Sequence, residues 1–169
     1  MNKQLIPCLY LQAEKAVTGF GQRNLFGDGN VETLAKFYGD NGADELLVFD
    51  FSSADEEHDR AIGKIRDICQ ASEIPVIAAG NIKRMEDVKK LIYAGCAKVV
   101  LNFSKENNIK LLEEVSRRFG KERMMISISD LREFTENQEL IEKYADTVLA
   151  LDTVENEIAE ISQISIVLH

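Results

Sequence analysis

The chain has 169 residues, of which 45% are hydrophobic, so it is long enough and apolar enough to bury one core. Its formal net charge of −9 at pH 7 argues against nucleic-acid binding, which needs clustered Lys and Arg side chains. No apolar run approaches the roughly 20 residues of a membrane-spanning helix, and the N-terminus does not resemble a signal segment, so we expect a cytoplasmic protein without membrane contact.

Seven short apolar runs rich in Val, Ile and Leu predict β-strands. In chain order they are "LIPCLYL", "ELLVFDF", "PVIAAG", "AKVVLNF", "MMISIS", "TVLALD" and "ISIVLH". Their nearly continuous hydrophobicity is typical of parallel strands that are covered on both faces. Amphipathic stretches between them, "VETLAKFYGDNG", "DRAIGKIRDICQAS", "MEDVKKLIYAG" and "NIKLLEEVSRRFG", predict helices. The alternation indicates an α/β fold with a parallel sheet.

A repeat narrows the fold class. The stretches "NGADELLVFD", "AGCAKVVLN" and "KYADTVLALD" recur at intervals of roughly 50 residues, which corresponds to two βα units. They end on Asp50, Asn102 and Asp152. Because the carboxyl ends of the strands of a parallel barrel surround one mouth, these polar endings predict a parallel (βα)8-barrel-like fold. An open doubly wound sheet is the alternative, although no G-x-G-x-x-G opens a helix after a strand.

The cysteines and histidines do not suggest a metal site. Cys8, Cys69 and Cys96 lie far apart without C-x-x-C spacing, so we interpret them as small core residues rather than zinc ligands or a disulfide framework. His58 and His169 are the two histidines of the chain. We therefore expect no metal and no cofactor.

Three motifs carry a family resemblance. The stretches "IPCL", "GADELLVFD" and "GNIKRMEDVKKLIYAGCAKVVLN" resemble the cyclase subunit of imidazole glycerol phosphate synthase, from histidine biosynthesis. The resemblance runs from about Leu5 to Asn102 and weakens through "MMISIS" and "TVLALD". It implies a (βα)8 barrel that binds a substrate with two phosphates and uses two aspartates as general acid and base.

Both aspartates that the resemblance implies are replaced. Tyr10 follows "IPCL", and Ser129 ends the "MMISIS" strand. Asp130 is one residue further on, but a slip by one residue would turn it to the opposite face of the strand. A phenol with an ordinary pKa of about 10 stays protonated at neutral pH, so we expect Tyr10 to fill the mouth, to stack on a ligand or to cap the core. Thr18 stands where the family usually has a basic residue.

One phosphate site of the family has matching residues here. The family places it at a glycine-rich turn and at the end of the following strand, which match "AAGNI" and "LNFS". Glycine lets backbone N–H groups approach an anion, and Ser or Asn adds neutral donors. The resemblance thus predicts a phosphate site at Gly80, Asn81, Asn102 and Ser104.

Two further aspartates match residues that line the family's mouth. Asp50 precedes "FSSADEEHDR", and we expect its carboxylate to face a ligand. Asp152 precedes "TVENEIAEI", where it would either face the ligand or cap the following helix. Asp50 and Asp130 are the candidates for any acid–base group that remains.

Residues 1–169 provide about six to seven βα units, whereas a complete barrel takes about 250 residues. We therefore expect a single partial barrel domain, the N-terminal part of a longer protein, whose open sheet edges are covered by self-association or by a further domain. The expected function is that of a degenerate, non-catalytic homologue that binds a phosphorylated small molecule or has a regulatory role. The alternatives are an active lyase or isomerase of a phosphorylated sugar and a structural interaction domain.

Overall fold

The computed structural model describes residues 4–19, 24–151, 158 and 161–168. The chain divides into two compact units. Unit 1 comprises Met1–Asn81 and Lys89–Ala97, and unit 2 comprises Ile82–Val88 and Lys98–His169. Helix α3 (Met85–Ala94) supplies residues to both units.

Unit 1 is built around three parallel strands and one antiparallel strand. These are β1 (Cys8–Gln12), β2 (Lys15–Val17), β3 (Leu46–Asp50) and β4 (Val76–Ala79), in the spatial order β2-β1-β3-β4. Strand β2 pairs with β1 in the antiparallel sense, whereas β1, β3 and β4 pair in parallel. The register places Tyr10 beside Phe49 and Leu11 beside Asp50.

Helices α1 (Val31–Asp40) and α2 (Asp55–Ala71) complete unit 1. The side chain of Asn30 caps α1 by accepting the N–H of Thr33. Helix α2 buries Ala61, Ile62, Ile65 and Ile68, which recur at helical spacing along one face. Burial of each such isoleucine contributes roughly 1.5–3 kcal/mol, so the apolar stripe fixes which side of α2 faces the core.

Unit 2 contains four parallel strands in chain order. They are β5 (Lys98–Asn102), β6 (Met124–Ile128), β7 (Thr147–Ala150) and β8 (Ser165–Leu168). The helices whose bounds are described in this unit are α4 (Glu106–Phe119), α5 (Leu131–Thr135) and α6 (Gln138–Tyr144), and a 3-10 turn spans Lys121–Arg123. Strand β6 is buried along its whole length, as its apolar sequence predicts.

The predicted fold class, a parallel and incomplete (βα)8-barrel-like succession of units, is confirmed. All seven predicted strands and the four predicted helices are present. Within each unit the parallel strands follow chain order, whereas a doubly wound sheet reverses its order at a switch point. Strand β2 and helices α5 and α6 were not predicted. In the described part of the chain, no helix is long and apolar enough to cross a bilayer.

Candidate functional site

Tyr10 lies in an aromatic cluster of unit 1. Its ring stacks on Phe49 and Phe51, with centroids 5.7 and 5.6 Å away and interplanar angles of 14° and 12°. Gly19 lies against the same ring, because a Cβ atom there would be 3.4 Å from Tyr10 Cε2. The ring thus has partners within the protein.

The ionisation of Tyr10 follows from this environment. Burial is the main cause that raises its pKa above the ordinary value, and the neighbouring Cys8 thiol raises the pKa further. Its hydroxyl therefore stays protonated at neutral pH and does not act as a base there.

Asp50 ends β3 as a buried carboxylate with two partners. Its Oδ2 atom lies 2.5 Å from His58 Nδ1, and its Oδ1 atom accepts the N–H of Ser52 at 2.8 Å. The Asp50 side chain is 2% exposed and that of His58 is 12% exposed. Helix α2 begins at Asp55, so its first turn carries His58 back to the strand end. A carboxylate held in this way orients an imidazole ring.

The turn after β4 is fastened to the loop after β3. Gly80 has a φ of +90°, and a Cβ atom there would lie 2.3 Å from the carbonyl oxygen of Asp50, so no larger residue fits. The Asn81 amide donates to the carbonyl oxygens of Ser52 at 2.8 Å and Asp50 at 3.4 Å. Ser52 Oγ in turn accepts the N–H of Ala13 at 3.1 Å. Each of these hydrogen bonds joins a side chain to a main-chain atom, and together they connect three chain segments.

In unit 2, Asn102 ends β5 and forms a local turn. Its Oδ1 atom accepts the N–H and the hydroxyl of Ser104, at 2.9 and 2.7 Å. The buried Asn108 donates to the Asn102 carbonyl at 3.0 Å. Asn102 and Ser104 are both exposed, so a neutral amide and a hydroxyl face solvent before α4.

Ser129 and Asp130 form the start of α5. The N–H of Ser129 donates to Glu133 Oε2 at 2.9 Å, and Asp130 caps the helix by accepting the N–H of Arg132 at 2.8 Å. The Arg132 guanidinium also binds Asp130 at 2.8 Å, and it is the main cause that lowers the Asp130 pKa. Asp152 lies outside the described residues.

Unit 1 thus contains Tyr10, Asp50, Gly80 and Asn81, and unit 2 contains Asn102, Ser104, Ser129 and Asp130. The contact between Asp50 and His58 was missed, since only the helix start at Asp55 brings the two together. The capping role of Asp130 could have been found, because Asp130 and Glu133 have capping-box spacing. No cluster of three or more metal-ligating side chains occurs among the described residues.

Comparisons with known proteins agree with the predicted resemblance. A family model described as histidine biosynthesis protein matches residues 4–161. The imidazole glycerol phosphate synthase subunit HisF of Exiguobacterium sibiricum is 35% identical over 132 residues, which cover 78% of this chain and 53% of that protein. Its counterpart from Methanocaldococcus jannaschii is 31% identical over 152 residues, which cover 90% of this chain and 56% of that protein. The chain spans about half the length of these curated relatives.

Proposed function

The chain belongs to the histidine biosynthesis protein family, and we propose that it serves there as a non-catalytic domain that binds a phosphorylated small molecule. The relatives are named as a subunit of imidazole glycerol phosphate synthase, which points to a phosphorylated ligand of this class.

The proposal that the domain is non-catalytic rests on the residues found at the two positions where the resemblance implies aspartates. Tyr10 is a stacked phenol with a raised pKa, and Ser129 has a hydroxyl in place of a carboxylate. General acid–base catalysis contributes about 10²- to 10⁴-fold per group, so the loss of two groups removes most of the rate. Asp130 does not substitute for them, because it caps α5 and binds Arg132.

The binding part rests on neutral donors at the strand ends. Asn102 and Ser104 are exposed just before α4, and the Asn102 amide N–H groups are the donors that we assign to the ligand, because the N–H and the hydroxyl of Ser104 donate to Asn102 Oδ1. Gly80 belongs to the same prediction, although its backbone packs closely against that of Asp50. Neutral amide, hydroxyl and backbone donors bind phosphate without a compensating positive charge on the protein. The Asn81 amide has a different role here, because its hydrogen atoms are directed to Ser52 and Asp50.

The catalytic part is tested by supplying the phosphorylated substrate of the family with ammonium to the purified protein. We expect no imidazole glycerol phosphate above the level of the protein-free control. Turnover within about tenfold of the roughly 10 s⁻¹ of a typical enzyme would contradict the proposal.

The binding part is tested by calorimetric titration with inorganic phosphate and with ribose phosphates. Asn102→Asp keeps the oxygen that accepts from Ser104 and adds a negative charge, so we expect at least a tenfold loss of phosphate affinity. Gln70→Glu is the control, since it adds the same charge on an exposed residue of α2. Equal affinities of the two variants would count against the site.

One observation favours the second candidate, an active lyase or isomerase. The contact of 2.5 Å between Asp50 and His58 has the geometry by which a carboxylate orients an acid–base imidazole. If turnover is found in the assay above, His58→Gln distinguishes the two functions. Loss of turnover with an unchanged KM would assign the chemistry to this pair, whereas unchanged turnover would exclude it.

The interaction-domain alternative concerns assembly. The relatives are named as a subunit, and β8 ends the strand order of unit 2, so among the described residues no strand lies beside its outer edge, which is open to a partner. The outer edge of β2 is covered within the chain, because Ala16 and Thr18 form backbone hydrogen bonds with residues 24–29. We propose that self-association or a further domain covers the open strand edge. Analytical ultracentrifugation across a concentration series would detect self-association as a rise in mean mass, and a constant monomer mass would exclude it.

A further inference from the structure

Two thiols of unit 1 lie side by side. Cys69 lies on α2 and is half-buried, and Cys96 follows α3 and is buried. Their Sγ atoms are 3.9 Å apart although 27 positions separate the residues in sequence. A disulfide bond is about 2.05 Å long, so rotation of the side chains has to bring the sulfur atoms about 1.9 Å closer.

The backbone fixes this proximity. Gly95 and Cys96 donate their N–H groups to Ile92 at 3.0 Å and Leu91 at 3.1 Å, which closes the end of α3 and sets the position of Cys96. A Cβ atom on Gly95 would be 3.0 Å from the Cβ atom of Cys69, so α2 passes directly against this helix end. The packing of the main chain therefore places the two cysteines side by side, whichever rotamers their side chains adopt.

We propose that Cys69 and Cys96 are an oxidative modification site that forms an intramolecular disulfide bond by exchange with a small disulfide such as oxidised glutathione. The reaction leaves Cys8, the third cysteine, reduced. The proposal does not depend on the ligand or on the activity assigned above.

The exchange takes place in two displacements. The Cys69 thiolate attacks one sulfur of the small disulfide, which forms a mixed disulfide and expels one small thiolate. The Cys96 thiolate then attacks Cys69 Sγ, closes the bond and expels the second small thiolate. The protein loses two electrons and two protons, and the small disulfide gains them as two thiols.

The environments of the three cysteines indicate which thiolate attacks the small disulfide first. The hydrogen bond from Cys96 is the main cause that lowers the Cys69 pKa, and Cys69 is also the more exposed sulfur of the pair. Burial raises the pKa of Cys8, so its thiolate is scarcer. We therefore assign the first step to Cys69 and the resolving step to Cys96.

The new bond would close a loop that contains β4 and the turn at Gly80 and Asn81. That turn is fastened to the end of β3, so oxidation would restrain the polar contacts around Asp50. A disulfide bond that closes a loop of this size stabilises the folded state mainly by restricting the unfolded chain.

The experiment exposes the purified protein to oxidised glutathione and maps its peptides by mass spectrometry without reduction. We expect a linked peptide pair containing Cys69 and Cys96, an unmodified Cys8, and a rise in Tm of about 5–10 °C that dithiothreitol reverses. A persistent glutathione adduct on Cys69, a bond to Cys8, or three unmodified thiols would each overturn the proposal.

Two variants make the test specific. Cys8→Ser should keep both the linked peptide and the rise in Tm. Cys69→Ser should lose both and leave Cys96 unmodified, because the attacking thiol is gone. Glutathione on Cys96 of the Cys69→Ser protein at the rate seen for Cys69 would overturn the assigned order of steps.

Discussion

The strand ends of both units have local polar contacts, such as that of Asp50 with Ser52, but those of unit 1 also have polar contacts between residues far apart in sequence. In unit 1, Ser52 binds Asn81 and Ala13, which are 29 and 39 positions away. In unit 2, Asn102 binds Ser104 and Asp130 binds Arg132, each two positions away. The first set connects segments that only the fold brings together, and the second set consists of turns and caps.

This difference determines what a substitution does. A contact between distant segments is absent from the unfolded chain, so its whole free energy contributes to stability, whereas a contact over two residues persists in part after unfolding. We therefore expect strand-end substitutions in unit 1 to lower stability, and those in unit 2 to affect mainly the surface chemistry. Three predictions test this comparison.

The largest effect is expected for Gly80→Ala. The new Cβ atom would lie 2.3 Å from the Asp50 carbonyl oxygen, at a φ of +90°. We expect the free energy of unfolding to fall by about 3 kcal/mol or more, measured by urea denaturation.

Gly42→Ala is the matched control for Gly80→Ala. Gly42 has a φ of +88° with no neighbouring atom within 4 Å, so only backbone strain of about 1 kcal/mol is expected. Equal losses in the two variants would mean that the close approach to Asp50 does not require glycine.

A smaller effect is expected for Asp50→Asn. The variant replaces a buried carboxyl group that lies 2.5 Å from His58, which should cost about 2 kcal/mol of unfolding free energy. Asp130→Asn removes a carboxylate that is 44% exposed, and the unfolding midpoint of this variant should shift less than that of Asp50→Asn. A double-mutant cycle with His58→Gln measures the coupling, and a coupling near zero would show that the pair does not stabilise unit 1.

The smallest effect depends on pH. Glu32 of α1 binds Lys64 of α2 at 2.8 Å, and this hydrogen bond is the main cause that lowers the Glu32 pKa. Because the folded pKa is lowered, the stabilisation is present above the unfolded pKa of about 4.3 and is lost as pH falls through the folded pKa. Glu32→Gln should therefore cost about 0.5 kcal/mol at pH 7 and nothing at pH below the folded pKa.

Asp130 provides a local ion pair to compare with the long-range pair of Glu32 and Lys64. Arg132 lowers the Asp130 pKa as well, but the two residues are neighbours in the unfolded chain too. We would measure the urea midpoint from pH 7 downward for the unmodified protein and for both variants. The pH dependence of the midpoint should be reduced less by Asp130→Asn than by Glu32→Gln. The reverse order would break the distinction between long-range and local contacts.

Most of the fold follows from the sequence. The apolar runs predict the seven strands, of which β3, β4, β6 and β7 are buried along their whole length, and the helices α1 to α4 are long enough to show an apolar stripe. Strand β2 was missed because three residues, Lys15–Val17, carry no periodicity. Helices α5 and α6 have 5 and 7 residues, which is too short for a helical pattern to repeat.

The candidate site was less predictable. The sequence indicated that Asp50 and Asn102 end strands, because a polar residue closes each apolar run. The partner of Asp50 and the contacts of Asn81 depend on how segments approach in space, and no local pattern encodes that approach. The predicted phosphate site at Gly80, Asn81, Asn102 and Ser104 stays a prediction.

The stack of Tyr10 on Phe49 and Phe51 also makes unit 1 visible to spectroscopy. The chain has no tryptophan and four tyrosines, so tyrosine dominates its near-ultraviolet absorption. Rings held nearly parallel at 5.6–5.7 Å couple their electronic transitions, and the circular dichroism of Tyr10 then depends on the geometry of the cluster. The protein thus carries an intrinsic chromophore beside its strand ends, and loosening of this cluster can be followed without a label.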